Sequence, residues 1–201
     1  MDIDNAEVDV RNGIKKLLQK AIVGNVDLGV LLSDHVNWIA KNPNYKRVSS
    51  QKLTFTPGGD GTVMGYSFPV ENYPIWTFRG KFDLSAGWQG FGMRSVDPIA
   101  LAWSSNHSYI IVIKAEQIEL QRFHNGGIFF DTVENTYVKS GVTHDIELGA
   151  VDIEGGVRLV FKVDGQTVFD YEDKDHFISE KGYLSLYSST GKTLELYPAK
   201  K

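Results

Sequence analysis

The chain of 201 residues contains no cysteine. Disulfides, thiolate catalysis and cysteine-ligated zinc are thereby excluded. No apolar run reaches the ~18 residues that suggest a membrane-spanning helix, so a membrane is not an expected partner. A basic excess is also missing. Lys and Arg number 21 against 25 Asp and Glu, for a net charge of −4, and the cations are scattered rather than striped. Nucleic acid is therefore not an expected partner, because phosphate neutralisation needs clustered cations. The GxSxG, P-loop and strand–helix GxGxxG patterns are absent. None of the five histidines, His35, His107, His124, His144 and His176, falls in an HxH or HExxH spacing. A zinc site would need distant residues to converge.

What remains is an ordinary folded composition, 42% hydrophobic and 23% charged, which is enough apolar material to build a core. Helical periodicity is confined to residues 10–23. There Val10, Ile14, Leu17, Leu18 and Ala21 recur at three- to four-residue spacing, and Gly24-Asn25 offers a stop. VDLGVLL (26–32) reads as a second short helix or a lead-in strand.

From about residue 34 the pattern changes to strands. HVNWIA, KLTFTP, VMGYSF and IWTFRGKFDL are separated by NPN, PGGDG and ENYP, whose Gly, Pro, Asn and Asp are turn chemistry. GWQGFGMRS (87–95), YIIVIKAEQIELQRF (109–123), HDIELGA (144–150), GVRLVFKVDGQTVFDY (156–171) and GYLSLYS (182–188) continue the series. Asp164-Gly165 marks a hairpin turn. Regular short strands with turn signals predict an antiparallel two-sheet sandwich of jelly-roll type.

Alternation also predicts faces. Leu184 and Leu186 point to the core, which leaves Tyr183, Ser185 and Tyr187 on the opposite face. Phe91 and Met93 read as core, with Trp88, Gly90, Gly92 and Arg94 opposite. Glu119 and Gln121 lie opposite Ile118 and Leu120. The result is an expected patch of Trp88, Arg94, Glu119, Gln121, Tyr183 and Tyr187. Its aromatic rings can stack on the CH face of a pyranose, its polar groups can bond hydroxyls, and its glycines leave room. In LAWSSNHSYI, Trp103 and Tyr109 sit in or beside a polar loop, where binding residues concentrate. His124, in FHNGG, is a further loop candidate. All nine are expected ligand-binding residues; the competing reading is packing and turn chemistry. Asp170, Glu172, Asp173 and Asp175 offer the oxygen ligands that calcium takes, but EF-hand spacing is lacking. The expected reading is a solvated connection with no cofactor.

The order of GWQGFGMRS, YIIVIKAEQIELQRF, HDIELGA, FKVDGQTVFDYED and GYLSLYSSTGKTLELYP resembles the concanavalin A-like lectin/glucanase superfamily, over about residues 35–198. The resemblance implies a sandwich domain at 34–201, with residues 1–33 as a helical appendage or linker. It also implies a sheet that receives polysaccharide or oligosaccharide, and a module excised from a larger extracellular or cell-surface protein with neighbouring domains. MDIDNAEVDV lacks a signal-peptide pattern. The leading expectation is a noncatalytic carbohydrate-binding module. The alternatives are a glycoside hydrolase or polysaccharide lyase on the same fold, or a protein-binding structural module. The superfamily's hydrolase strand, Glu-x-Asp-x-(x)-Glu, has its nearest counterpart in HDIELGAVDIEGG. Here Glu147 and Glu154 are seven residues apart, and GlyAla is expected to interrupt the strand before Asp152. Paired catalytic carboxyls stand ~5–5.5 or ~6.5–9.5 Å apart; Glu119 and Glu147 are the acids such an activity would be tested on.

Overall fold

The computed structural model describes residues 26–27, 38–40, 42–49, 51–58, 62–66, 75–97, 107–124 and 127–200. The expected helix at 10–23 lies outside the described residues. The strands are β1 (Val26–Asp27), β2 (Trp38–Ala40), β3 (Lys46–Ser49), β4 (Lys52–Phe55), β5 (Thr62–Tyr66), β6 (Ile75–Lys81), β7 (Gln89–Ser95) and β8 (Ser108–Ile113). They continue with β9 (Gln117–Phe123), β10 (Gly127–Glu134), β11 (Thr143–Ile153), β12 (Gly156–Val163), β13 (Gln166–Asp173), β14 (Tyr183–Ser188) and β15 (Leu194–Pro198).

These strands form two sheets. An eight-stranded sheet runs β13-β12-β11-β6-β15-β4-β3, with β1 added beside β6; a seven-stranded sheet runs β10-β9-β8-β7-β14-β5-β2. Only the β1–β6 pairing among the described residues is parallel. The last two strands enter one sheet each. β14 lies between β7 and β5, and β15 between β6 and β4. Both sheets are therefore completed by the final segment of chain.

Period-2 alternation puts one side of each strand into the space between the sheets. In β6 the buried positions are Trp76, Phe78 and Gly80, followed by Phe82 and Leu84. Phe78 and Phe82 meet Phe91 of the other sheet edge-on, with ring centroids 5.3 and 6.0 Å apart. Each such side chain contributes roughly 1.5–3 kcal/mol by leaving water. Asp164 and Gly165 both have positive φ, 51° and 78°, as a two-residue hairpin turn requires. The 109–123 segment is a hairpin rather than one strand, because Lys114–Glu116 turn the chain between β8 and β9. β11 passes through Gly149 and Ala150 without interruption and pairs with β12 as far as Ile153, so the expected break before Asp152 does not occur.

Two polar struts cross the apolar interior. Arg122 of β9 donates to both carboxylate oxygens of Asp173, at 2.8 and 2.7 Å. The Tyr109 hydroxyl donates to the same carboxylate at 2.8 Å and accepts from the Ile178 N–H. Burial raises the Tyr109 phenol well above its ordinary value. Arg94 of β7 supplies the second strut. It donates to the carbonyls of Ala150 and Ile178 and to Asp152. Each strut ties one sheet to the other.

The outer face of the eight-stranded sheet is tiled with ion pairs. Lys52 and Lys81 flank Glu195, Lys162 meets Glu147 at 2.8 Å, and Arg158 holds Asp170 through two bonds. The Arg158 bonds hold Asp170 below the usual carboxylate range, and the Ser85 hydroxyl does the same for Asp83. Burial pushes Asp164 and Glu195 upward, but bonds from His144 and from Lys52 and Tyr197 outweigh it, so both are lowered. A lowered folded value means that the stabilisation is present above about pH 4 and is lost as pH falls through the lowered values. The thermal midpoint should therefore drop as pH is taken from about 4 towards 2. A flat midpoint over that range would contradict these assignments.

Candidate functional site

The outer face of the seven-stranded sheet has a different chemistry. Its side chains follow from register. Glu119 (β9) pairs with Val112 (β8), Val112 with Gly90 (β7), and Gly90 with Tyr187 (β14). The next row is Phe129, Gln121, Ile110, Gly92 and Ser185. A third has Phe123 opposite Ser108, and Ser95 opposite Tyr183. Because side chains alternate, all of these rows lie opposite the core residues Ile118, Leu120, Ile111, Phe91 and Leu186.

Ile110, Val112 and Tyr187 form a second apolar cluster, against which Trp88 and Phe123 pack. The Trp88 and Tyr187 rings are 6.1 Å apart and tilted by 40°. The Tyr187 ring lies over Gly92; a Cβ there would stand 2.8 Å from ring atom Cε2. Tyr187 is fully buried, Glu119 and Gln121 are 4% and 7% exposed, and Trp88 and Tyr183 are half-buried at the rim. The Glu119 carboxylate is held by Lys114, Gln117 and the Gln121 amide, the last at 2.6 Å. The hydroxyls of Ser95, Ser108 and Ser185 are buried on this side without a hydrogen-bond partner among the described residues. Buried orphan hydroxyls are rare enough to mark a place where water or ligand oxygen is accommodated.

No family model matches the chain, and no curated protein does. Solved structures do. A Bacillus subtilis protein with a galectin-like fold aligns at a TM-score of 0.59 and 10% identity, covering 83% of this chain and 89% of its own. A carbohydrate binding module from Bacillus subtilis aligns at 0.57 and 13% identity, covering 81% and 94%. A β-glucanase from Bacillus licheniformis aligns at 0.52 and 9% identity, covering 83% and 94%. The fold is the concanavalin A-like jelly roll.

Within this jelly roll, five of the expected patch residues share the outer face of the seven-stranded sheet: Trp88, Glu119, Gln121, Tyr183 and Tyr187. Arg94 does not. It has φ of 54°, the β7–β14 register shifts at this point, and its side chain crosses the interior. Tyr109 lies in β8, buried, with its hydroxyl committed to Asp173, so it does not reach the outer face. Trp103 lies outside the described residues. His124 follows β9 and meets His107, with Nδ1 atoms 3.1 Å apart.

Glu119 and Glu147 lie on the outer faces of different sheets, so they do not form a carboxylate pair with each other. Asp152 is held by Arg94 and Lys181. The 170–175 acids are also divided. Asp170 faces Arg158, Glu172 pairs with Lys174, and Asp173 turns inward to Arg122.

Sequence reasoning missed Ser95, Ser108, Phe123 and Phe129 on this face. Phe129 is 65% exposed and cross-strand from Gln121. Its strand escaped notice because a bulge between Phe129 and Asp131 breaks the alternation.

Proposed function

We propose that the chain is a noncatalytic carbohydrate-binding module that takes polysaccharide or oligosaccharide on the outer face of its seven-stranded sheet. The observation that carries this reading is the contrast between the two outer faces. One is saturated with ion pairs. The other gathers Trp88, Tyr187 and Phe123 with glycines, serine hydroxyls that have no partner among the described residues, and the Gln121 amide. Sugars offer an apolar CH face and a ring of neutral hydroxyls, and that mixture is their complement. The jelly-roll likeness to a carbohydrate binding module and to the VIP36 lumenal domain, solved with Ca2+ and Man3GlcNAc, supports the class of ligand. Work as an extracellular module beside other domains, with avidity from neighbouring modules, belongs to the same proposal.

Trp88 at the rim is the residue to test. Loss of its ring removes a stacking platform worth about 1.4 kcal/mol, or roughly tenfold in affinity. Affinity electrophoresis over plant, algal and bacterial polysaccharides, with calcium and then with chelator, should show retardation by one glycan class. Trp88→Ala should reduce it about tenfold without unfolding the domain. Chelator sensitivity would add calcium to the proposal. Tyr187→Ala is unsuitable as a binding probe, because truncating a buried aromatic costs about 3–5 kcal/mol of stability. No retardation across the panel would overturn the carbohydrate-binding reading, and polysaccharide cleavage abolished by Glu119→Gln would overturn the noncatalytic one.

A further inference from the structure

We infer that His107 and His124 form a binding site for a divalent transition metal of the zinc or copper class. The inference is independent of the sugar reading. His107 immediately precedes β8 and His124 immediately follows β9, and the pairing of Ser108 with Phe123 sets the two side by side. Seventeen residues of sequence separate them, so no spacing motif announces the pair.

The Nδ1 atoms are 3.1 Å apart. Imidazole nitrogens bind zinc at about 2.0–2.1 Å in tetrahedral geometry, which separates two ligating nitrogens by about 3.3 Å. The observed span is close to that value. The ring centroids are 4.3 Å apart and the planes cross at 65°. The centroids are thus only 1.2 Å (4.3 minus 3.1) farther apart than the nitrogens. A straight Nδ1–H···Nδ1 bond sets two rings head to head, with the centroids farther apart by nearly a full ring width. Here the rings are bent well away from that head-to-head line.

Imidazole is a borderline donor that suits zinc, copper and nickel, whereas calcium and magnesium prefer oxygen. Among the described residues, no group of three or more His, Cys, Asp or Glu is placed to hold a metal. Two imidazoles therefore leave coordination positions to water or to ligand oxygens, as an open site does. The other described histidines do not compete. His144 is buried, with Nδ1 2.7 Å from Asp164 and Nε2 accepting the Lys139 N–H. His176 stands exposed in the loop after β13.

Titration of the full chain, free of any histidine tag, with Zn2+ alone is the test, followed by calorimetry and by imidazole 15N shifts. One equivalent should bind and move both the His107 and the His124 Nδ1 resonances. Loss of an outer partner alone costs a metal site about 10–100-fold, so His107→Ala and His124→Ala should each weaken binding by roughly tenfold or more. His176→Ala should bind as the unmodified chain does, and Ca2+ should move neither resonance. Unmoved Nδ1 resonances in the unmodified chain, or full Zn2+ affinity in the double variant, would reduce the pair to two imidazoles sharing a proton and overturn the proposal.

Discussion

Asp173→Ala is expected to lower the unfolding free energy by about 3–5 kcal/mol, the cost of leaving one partner of a buried ion pair uncompensated. The pair is buried on both sides, with side-chain exposures of 4% for Arg122 and 2% for Asp173. Arg122 also accounts for the Asp175 carbonyl and lies over the Phe130 ring at 5.1 Å. Removing the carboxylate strands a guanidinium between the sheets and takes the acceptor from the Tyr109 hydroxyl. Tyr109→Phe removes only the hydroxyl and should cost about 1–3 kcal/mol, because the Ile178 N–H then loses its acceptor. The pair Arg122→Met with Asp173→Leu should recover most of the loss, since buried ion pairs replaced by apolar groups are often neutral. Urea unfolding of the four proteins measures this directly. Equal loss in the single and double variants would show that packing at these positions, rather than a stranded charge, sets the cost.

The same strut shows where the sequence was legible and where it was not. Alternation of Ile118 and Leu120 with Glu119 and Gln121, and of Leu184 and Leu186 with Tyr183 and Tyr187, correctly assigns both faces. A half-polar strand carries its orientation in its own residues. Tyr109 is different. SYIIVI is buried at every position, so nothing local separates the residues facing the core from those on the outer face of the sheet. The Asp164-Gly165 hairpin was legible because a two-residue turn is a local event. The arrival of Asp173 beside Arg122, 51 residues away, was not. The meeting of His107 with His124 escapes the sequence for the same reason. Bulges hide residues in another way: one extra residue in β10 pairs Phe129 with Gln121 and Thr132 with Glu119, so two residues three apart share one face, and a simple count of two cannot produce that result.

Arg94 is the clearest case, and it joins stability to the binding face. A non-glycine residue at positive φ costs about 1–2 kcal/mol and persists only where its surroundings over-determine it. Here the surroundings are the Ala150 and Ile178 carbonyls and Asp152. They hold residue 94 turned inward, and the displaced register sends Ser95 to the outer face, opposite Tyr183 and within reach of Gly92. Arg94→Met keeps the chain length and most of the apolar stem but removes those bonds. It should cost about 2–4 kcal/mol, chiefly from two carbonyls left without a donor. With the bonds gone, residue 94 is free to relax into the extended region, and a one-residue change of phase moves each following side chain to the opposite face. Ser95 would leave the binding face and Tyr183 would lose its cross-strand partner. Glycan retardation should therefore fall further than it does in a variant of equal stability loss made in the far sheet, such as Leu159→Ala, which leaves this face untouched. Equal retardation in the two variants at matched stability would mean that the β7 bulge serves the core alone.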